Sequence, residues 1–349
     1  MNTCLACGGK NLELCVDLGD QPLANNFVSD EKYPLQLIYC KDCYHAQLSV
    51  FIDPKTLYKH YAYVSGTSNT LRQWFSDFAD RFDDVGSILD IASNDGSLLL
   101  EFMIRGWDVL GVDPAENIYT QGVPTIHEFF GEDSEVGQFD VITAFNVLAH
   151  GPDPLGMLKG VYRALKKDGE AYIMVSQSKM FENGQFDTVY HEHHSYFCLN
   201  SFQVLANRAG FEDISYSIEP IHGGSLLFRL TKHSSDINLT TKRPDFEGFK
   251  SKVDQIRAYK IIGYGAAAKA TVTINHLHQD LDYIVDEAPM KIGKRVPGTK
   301  IQIVDPELMA EDEDNLIIII YAWNFYDEIV EKIKKLRPNR ADVFVRYWQ

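Results

Sequence analysis

Ile88-Leu89-Asp90-Ile91-Ala92-Ser93-Asn94-Asp95-Gly96-Ser97 runs from an apolar strand through a small polar turn into the helical stretch Leu98 to Arg105. A turn in that place lets backbone groups approach a ligand lying across the carboxyl end of a sheet. The rhythm continues beyond it. Val109 to Val112, Val141 to Ala144 and Ala171 to Val175 read as strands, and Leu155 to Leu165 as a helix. Strands alternating with helices predict a doubly wound α/β sheet.

A dinucleotide site here would want G-x-G-x-x-G, whose glycines admit a pyrophosphate at the helix N-terminus. Only Gly96 is present, so pyrophosphate is disfavoured. S-adenosylmethionine (SAM) has no phosphate and carries an ammonium and a sulfonium, which the carboxylates Asp90 and Asp95 suit better. The next strand ends at Gly111-Val112-Asp113, and a carboxylate there can accept hydrogen bonds from both hydroxyls of a ribose. Together these features resemble motif I and its partner acid in class I methyltransferases. Phe139 to His150 and Leu165 to Glu170 resemble that fold's fourth and fifth strand regions. The resemblance sets SAM against Asp90, Ala92, Asn94, Asp95, Gly96, Asp113, Pro114, Asn146, Leu148 and His150.

On the N-terminal side stand two C-x-x-C pairs, Cys4/Cys7 and Cys40/Cys43. Two such knuckles closing on one tetrahedral ion are the usual structural zinc arrangement. The loop between them is longer than the about 15 to 20 residues of common zinc ribbons, so knuckle form counts for more than spacing. A redox C-x-x-C is the competing reading, and two pairs without a thioredoxin context disfavour it. Four thiolates leave no open ligand position, so the zinc is expected to be structural, with His45 surplus. Cys15 and Cys198 are isolated and read as small buried apolar residues.

The expected division is a zinc module over 1–60, a SAM-binding domain over 61–235, a polar linker over 236–250 and a smaller Rossmann-like domain over 251–349. Leu71, Trp74, Phe75, Phe78 and Phe82 recur at helical spacing and lead into the second unit. The last opens on Ile261-Ile262-Gly263-Tyr264-Gly265-Ala266-Ala267-Ala268-Lys269. There a glycine turn and a cation could approach a phosphate.

Of 349 residues, 45% are apolar and 23% charged, which is globular composition. The net charge of -16, without a basic stripe, disfavours nucleic acid as a partner. The start of the chain lacks a signal peptide's basic flank and apolar core, and no apolar stretch is long enough to span a bilayer. A soluble, cytoplasmic protein acting on a small molecule, without membrane or nucleic-acid partners and monomeric or weakly dimeric, is expected.

A four-cysteine module, a class I methyltransferase core and a tail with GYGAAAKA and Ala322-Trp323-Asn324 together resemble the deoxysugar C-methyltransferases, which act on nucleotide-linked 4-keto-hexoses with SAM. The stretch Tyr190-His191-Glu192-His193 matches that family's Y-x-E-H, and His222-Gly223-Gly224 its H-G-G turn. The resemblance makes His193 the general base, with Tyr190 and Glu192 orienting it or binding the sugar. It also places Tyr63, from Tyr61-Ala62-Tyr63-Val64-Ser65, in the site. His222, Gly223, Gly224, Gly263, Tyr264, Gly265, Lys269, Trp323 and Asn324 become the expected substrate contacts. The chemistry agrees, because methylating a carbon beside a ketone requires removal of an α-proton, a task for an imidazole. The family's pattern is not matched everywhere: residues 231–260 are short for it, and His191 stands where an acid is common. His191, His193 and His194 could instead bind metal, but on a strand His191 and His193 would point apart. Two other functions fit parts of the sequence: an NAD(P)-dependent oxidoreductase using the Gly263-Tyr264-Gly265 turn and Asp286, and a non-catalytic zinc-ribbon adaptor.

Overall fold

The computed structural model describes residues 3–27, 29–58, 64–176, 179–221, 224–233, 243–255, 262–312, 316–340 and 342–346. The first unit forms strands β1 (Leu12–Pro22), β2 (Lys32–Cys40) and β3 (Ala46–Leu48), then the short helix α1 (Pro54–Tyr58). A 3-10 turn at Ser65–Thr67 leads to α2 (Asn69–Ala79), whose N-terminus is capped by Ser68 accepting from the Leu71 N–H. Leu71, Trp74, Phe75 and Phe78 are buried on one face of α2, as their spacing predicts, while Phe82 lies beyond the helix end.

The second unit follows as β4 (Ser87–Ile91), α3 (Ser97–Ile104), β5 (Asp108–Val112), β6 (Thr125–Ile126), β7 (Phe139–Phe145), α4 (Pro154–Ala164) and β8 (Leu165–Ser176). It continues through α5 (Lys179–Asn183), a 3-10 turn at Phe186–Thr188, β9 (Ser195–Tyr196), α6 (Leu199–Ala209), β10 (Asp213–Glu219) and β11 (Ser225–Thr231). Seven strands pair in the order β10-β11-β8-β7-β4-β5-β6. Those from β4 to β8 run parallel, and β10 and β11 are antiparallel at one edge. Because β5 and β7 flank β4 on opposite sides, the connections diverge at its carboxyl end and open a crevice there. The predicted doubly wound core is therefore present.

α7 (Phe246–Gln255) precedes β12 (Ile262–Tyr264), α8 (Ala268–Leu277), β13 (Tyr283–Val285), β14 (Gln302–Val304), α9 (Pro306–Glu311), β15 (Ile317–Ile320), α10 (Tyr326–Leu336) and β16 (Val343–Val345). These strands make a parallel sheet of order β14-β13-β12-β15-β16, with its own crevice at the end of β12. No helix among the described residues is long and apolar enough to cross a membrane.

At three places the structure adds to or departs from the sequence pattern. The linker expected over 236–250 is helical from Phe246, because Phe246 and Phe249, three residues apart, pack on Tyr39 and Phe181. The sheet of the first unit also draws on a distant segment, since β9 supplies its fourth strand, in the order β1-β2-β3-β9. The histidine-rich stretch is not a strand: the His193 N–H bonds to the Tyr190 carbonyl at 3.0 Å and closes a tight turn. That turn aims its histidines differently. The His191 imidazole meets the Tyr33 carbonyl, and the His194 ring stacks on Phe51.

Candidate active site

The crevices of both α/β sheets open into one cavity of about 890 Å³. Its wall takes Ala92 and Asn94 from the turn after β4, Asp113 from the end of β5, and Asn146 and His150 from beyond β7. It takes Ala267 to Lys269 from the turn after β12 and Ala322 to Asn324 from beyond β15.

The turn after β4 is bent tightly. Ala92, Asn94 and Gly96 have φ of 60°, 51° and 76°, a region that L side chains other than Asn rarely enter. Asp113 holds it there, one carboxylate oxygen accepting the Asn94 N–H at 2.8 Å and the other the Ala115 N–H at 2.8 Å. Each oxygen keeps a second lone pair for a ligand in the cavity. Burial pushes the Asp113 carboxyl above its ordinary range, against the pull of those two N–H groups. Around it the wall is Val112, Pro114, Ala115, Glu128, Phe129 and Phe130. A carboxylate beside aromatic and small apolar walls, with no cation among these residues, fits a nucleoside bearing positive charge and does not fit a pyrophosphate. Asp113→Ala is expected to weaken SAM binding at least tenfold, by the loss of charge-assisted hydrogen bonds, as read by calorimetry.

Several residues expected at the cofactor do not reach the cavity. The Asp90 carboxyl, pushed up to about 7 by burial, accepts from the hydroxyl of Thr143, its register partner on β7, at 2.7 Å. Asp95 accepts the Gly66 N–H at 3.0 Å and the Ser97 N–H, fastening the Ser65–Thr67 turn. Gly96 abuts Val123, and Leu148 is fully buried in the core. Alternation along a strand turns Asp90 away from Ile91, which does line the cavity.

His193 lies in the cavity wall on the turn that follows the Phe186–Thr188 segment. Its Nδ1 is 3.3 Å from the Thr188 carbonyl and its Nε2 is 2.8 Å from the Tyr190 hydroxyl. A carbonyl can only accept, so Nδ1 carries the hydrogen and Nε2 is the proton acceptor. Burial, with His150 and Lys269 also acting, lowers His193 well below the ordinary histidine value. The ring is therefore neutral at pH 7. His150 crosses it edge-on with ring centroids 4.7 Å apart, and burial lowers His150 to about 3. Tyr58 bridges this pair to the backbone, its hydroxyl 3.1 Å from His150 Nδ1 and donating to the Glu192 carbonyl at 2.8 Å.

Glu192 sits behind the wall, not in it. Its side chain accepts from the Asn25 N–H and Nδ2, and burial pushes its carboxyl up to about 7. Of the expected substrate contacts, Gly224, Lys269, Trp323 and Asn324 line the cavity. Gly263 is pressed between Tyr321 and Ile284, the Tyr264 hydroxyl donates to Glu287, and Gly265 makes its bend at φ 91° against Ala322. Tyr63, His222 and Gly223 lie outside the described residues. Asn25, Tyr58, Lys179 and Lys291 also line the cavity and went unforeseen, because each comes from a segment without a motif. Asp286, the acid considered for a nicotinamide cofactor's ribose, accepts from the Ala288 N–H and pairs with Lys291 at 3.2 Å, and it is not among the residues that line the cavity.

At the other end of the first unit, the Sγ atoms of Cys4, Cys7, Cys40 and Cys43 lie within 4.8 Å of one another. Cys4 and Cys43 are 3.5 Å apart and Cys7 and Cys40 3.6 Å. Tetrahedral zinc with Zn–S near 2.3 Å needs about 3.8 Å between sulfurs, so the set fits. Both knuckles share one fold. The Gly8 N–H returns to the Cys4 carbonyl and the Tyr44 N–H to the Cys40 carbonyl, with φ of 78° and 62° at Gly8 and Tyr44. Among the described residues no histidine joins the cluster, and buried His45 lies with its ring against Phe197, its ring nitrogens without a hydrogen-bond partner.

A model of a zinc binding domain matches residues 4–58, a methyltransferase domain 58–216 and a C-methyltransferase C-terminal domain 254–346. C-methyltransferase NovU of Streptomyces niveus is 27% identical over 97% of this chain and 94% of its own. Ubiquinone biosynthesis O-methyltransferase of Acinetobacter baumannii is 29% identical over 24% of this chain and 41% of its own. Among solved structures, the 1,6-didemethyltoxoflavin-N1-methyltransferase of Burkholderia thailandensis covers 47% of this chain and 79% of its own, at 18% identity and a TM-score of 0.39. With three consecutive domains matched from the zinc cysteines to the last sheet, and a C-methyltransferase aligned almost end to end, the chain is a SAM-dependent C-methyltransferase with an N-terminal zinc-binding domain.

Proposed function

We propose that this enzyme methylates a carbon next to a ketone in a nucleotide-linked keto-deoxysugar, with His193 as the base. The observation that carries this reading is the neutral His193 imidazole, its Nε2 an acceptor, set in the wall of the cavity that Asp113 also lines. When bound, SAM supplies an electrophilic methyl on a sulfonium. Asp113 would hold its ribose, and the bent backbone from Ala92 to Asn94 would admit its amino-acid end. His193 Nε2 takes the α-proton, and the C–H electron pair passes into the enolate. The Tyr190 hydroxyl, 2.8 Å from Nε2, would donate to the enolate oxygen. The α-carbon then gains the methyl, the C–S bond breaks, and the proton on His193 leaves to solvent. Burial makes the imidazole a weak base, and the negative charge developing on the enolate restores its proton affinity.

The cations in the cavity wall support an anionic substrate. Lys179 comes from α5 and Lys269 from α8, on elements other than those around Asp113, whereas Lys291 is already paired with Asp286. A mass-spectrometric screen of nucleotide-linked keto-sugars with SAM should show one product heavier by a single methyl group. No mass gain with any 4-keto-hexose would move the substrate to another acidic-carbon compound.

A further inference from the structure

The Phe186–Thr188 turn carries two groups that act in different directions. Thr188 offers its carbonyl to His193 Nδ1 at 3.3 Å, and Asp187 beside it points into the C-terminal unit. Asp187 is fully buried, and its Oδ2 accepts the Trp323 indole N–H at 2.9 Å. Against the face of that same indole lies the Lys269 ammonium, 3.9 Å from the ring centroid. Lys269 and Trp323 both line the cavity, while Asp187 does not. Among the described residues no side chain or carbonyl is found accepting a hydrogen bond from Lys269. The ammonium is thus held by a π-face and by the field of Asp187, with its donors left for a ligand.

We infer that Asp187 is a positioning residue for substrate binding: through Trp323 and Lys269 it fixes a cation for the diphosphate of the substrate, in register with His193. This rests on the nucleotide-sugar reading above. The chemistry is specific to an anion. A buried carboxylate bonded directly to the lysine would neutralise it, whereas one turned onto the indole keeps the ammonium charged and free to donate. Burial lowers Lys269 to about 8, and the Asp187 carboxylate opposes that shift. Among the described residues His193 also interacts with it and is neutral, and Asp187, pushed up to about 6 by burial, is ionised above that pH. Lys269 is therefore charged below about pH 8 and loses its proton above it.

The test is calorimetric titration of the full-length protein with uridine and thymidine 5′-diphosphate, alongside steady-state kinetics. Lys269→Met should weaken diphosphate binding at least tenfold. Asp187→Asn keeps an acceptor for the indole but removes the charge. It should weaken binding about fivefold to tenfold, raise KM for the nucleotide sugar similarly, and leave SAM affinity and kcat within twofold. Wild-type diphosphate affinity should fall as pH rises through about 8, and in Asp187→Asn the fall should begin at lower pH. In the Lys269→Met background, Asp187→Asn should add nothing. An additive loss there, or an unshifted pH profile, would overturn the assignment. Trp323→Phe, which removes the hydrogen bond and keeps a ring, should give a similar loss of diphosphate affinity, and a wild-type affinity in that variant would also count against the assignment. If the wild type binds a diphosphate and Lys269→Met binds it equally, only this inference fails. If the wild type binds neither diphosphate, the nucleotide-sugar reading fails with it.

Discussion

His193→Ala should reduce turnover by about a thousandfold or more, within the range of about 10² to 10⁴ contributed by a positioned general base. SAM affinity should stay within twofold, because Asp113 and its two backbone donors stand on a different element. The pH profile supplies an independent check. The base works only when unprotonated, and burial holds it unprotonated well below pH 6.5, so kcat/KM should show no acid limb near 6.5. A limb at that value, or an active His193→Ala variant, would mean that another group removes the proton.

Loss of the zinc should be the largest structural effect. Cys43→Ser should lower bound zinc from one equivalent and destabilise the fold by several kcal/mol, with a fall in Tm of about 10 °C by thermal scanning and metal analysis. Activity should fall as well, although the metal takes no part in the chemistry. The Asn200 side chain donates to the Cys43 carbonyl at 2.9 Å, and Arg208 reaches the Ala6 carbonyl, so the knuckles are fastened to α6. Just before α6 in the chain, β9 pairs with β3, and the Leu48 N–H bonds to the His194 carbonyl. Loosening the zinc sheet therefore loosens the turn that carries His193. A Cys43→Ser variant with unchanged Tm and full activity would contradict this coupling.

What could be read from the sequence follows a physical division. The strand at Ile88 to Ile91, the acid at Asp113 and the two knuckles are local patterns, set by strand periodicity and short spacing, and all are found where expected. The C-terminal sheet was legible for the same reason. Long-range consequences were not. Asp90 looked like a cofactor acid because it is a carboxylate near a turn, but strand alternation points it at Thr143. Glu192 stands in the motif, yet the Tyr190–His193 turn sends it to Asn25, 167 residues away. Asp187 carries no local signal, because its partner Trp323 is 136 residues distant. The helix at Phe246–Gln255 was hidden inside a polar stretch, its packing resting on two phenylalanines.

The central claim is transfer of a methyl to carbon through an enolate formed beside His193. Its most direct test is turnover of a nucleotide-linked 4-keto-hexose with SAM carrying a ¹³C-methyl, followed by NMR of the product. A methyl signal coupled to a ring carbon adjacent to the ketone, with loss of one α-proton and no product from His193→Ala, is the expected result. A methyl resonating as a methoxy group, or carbon methylation undiminished in His193→Ala, would contradict it.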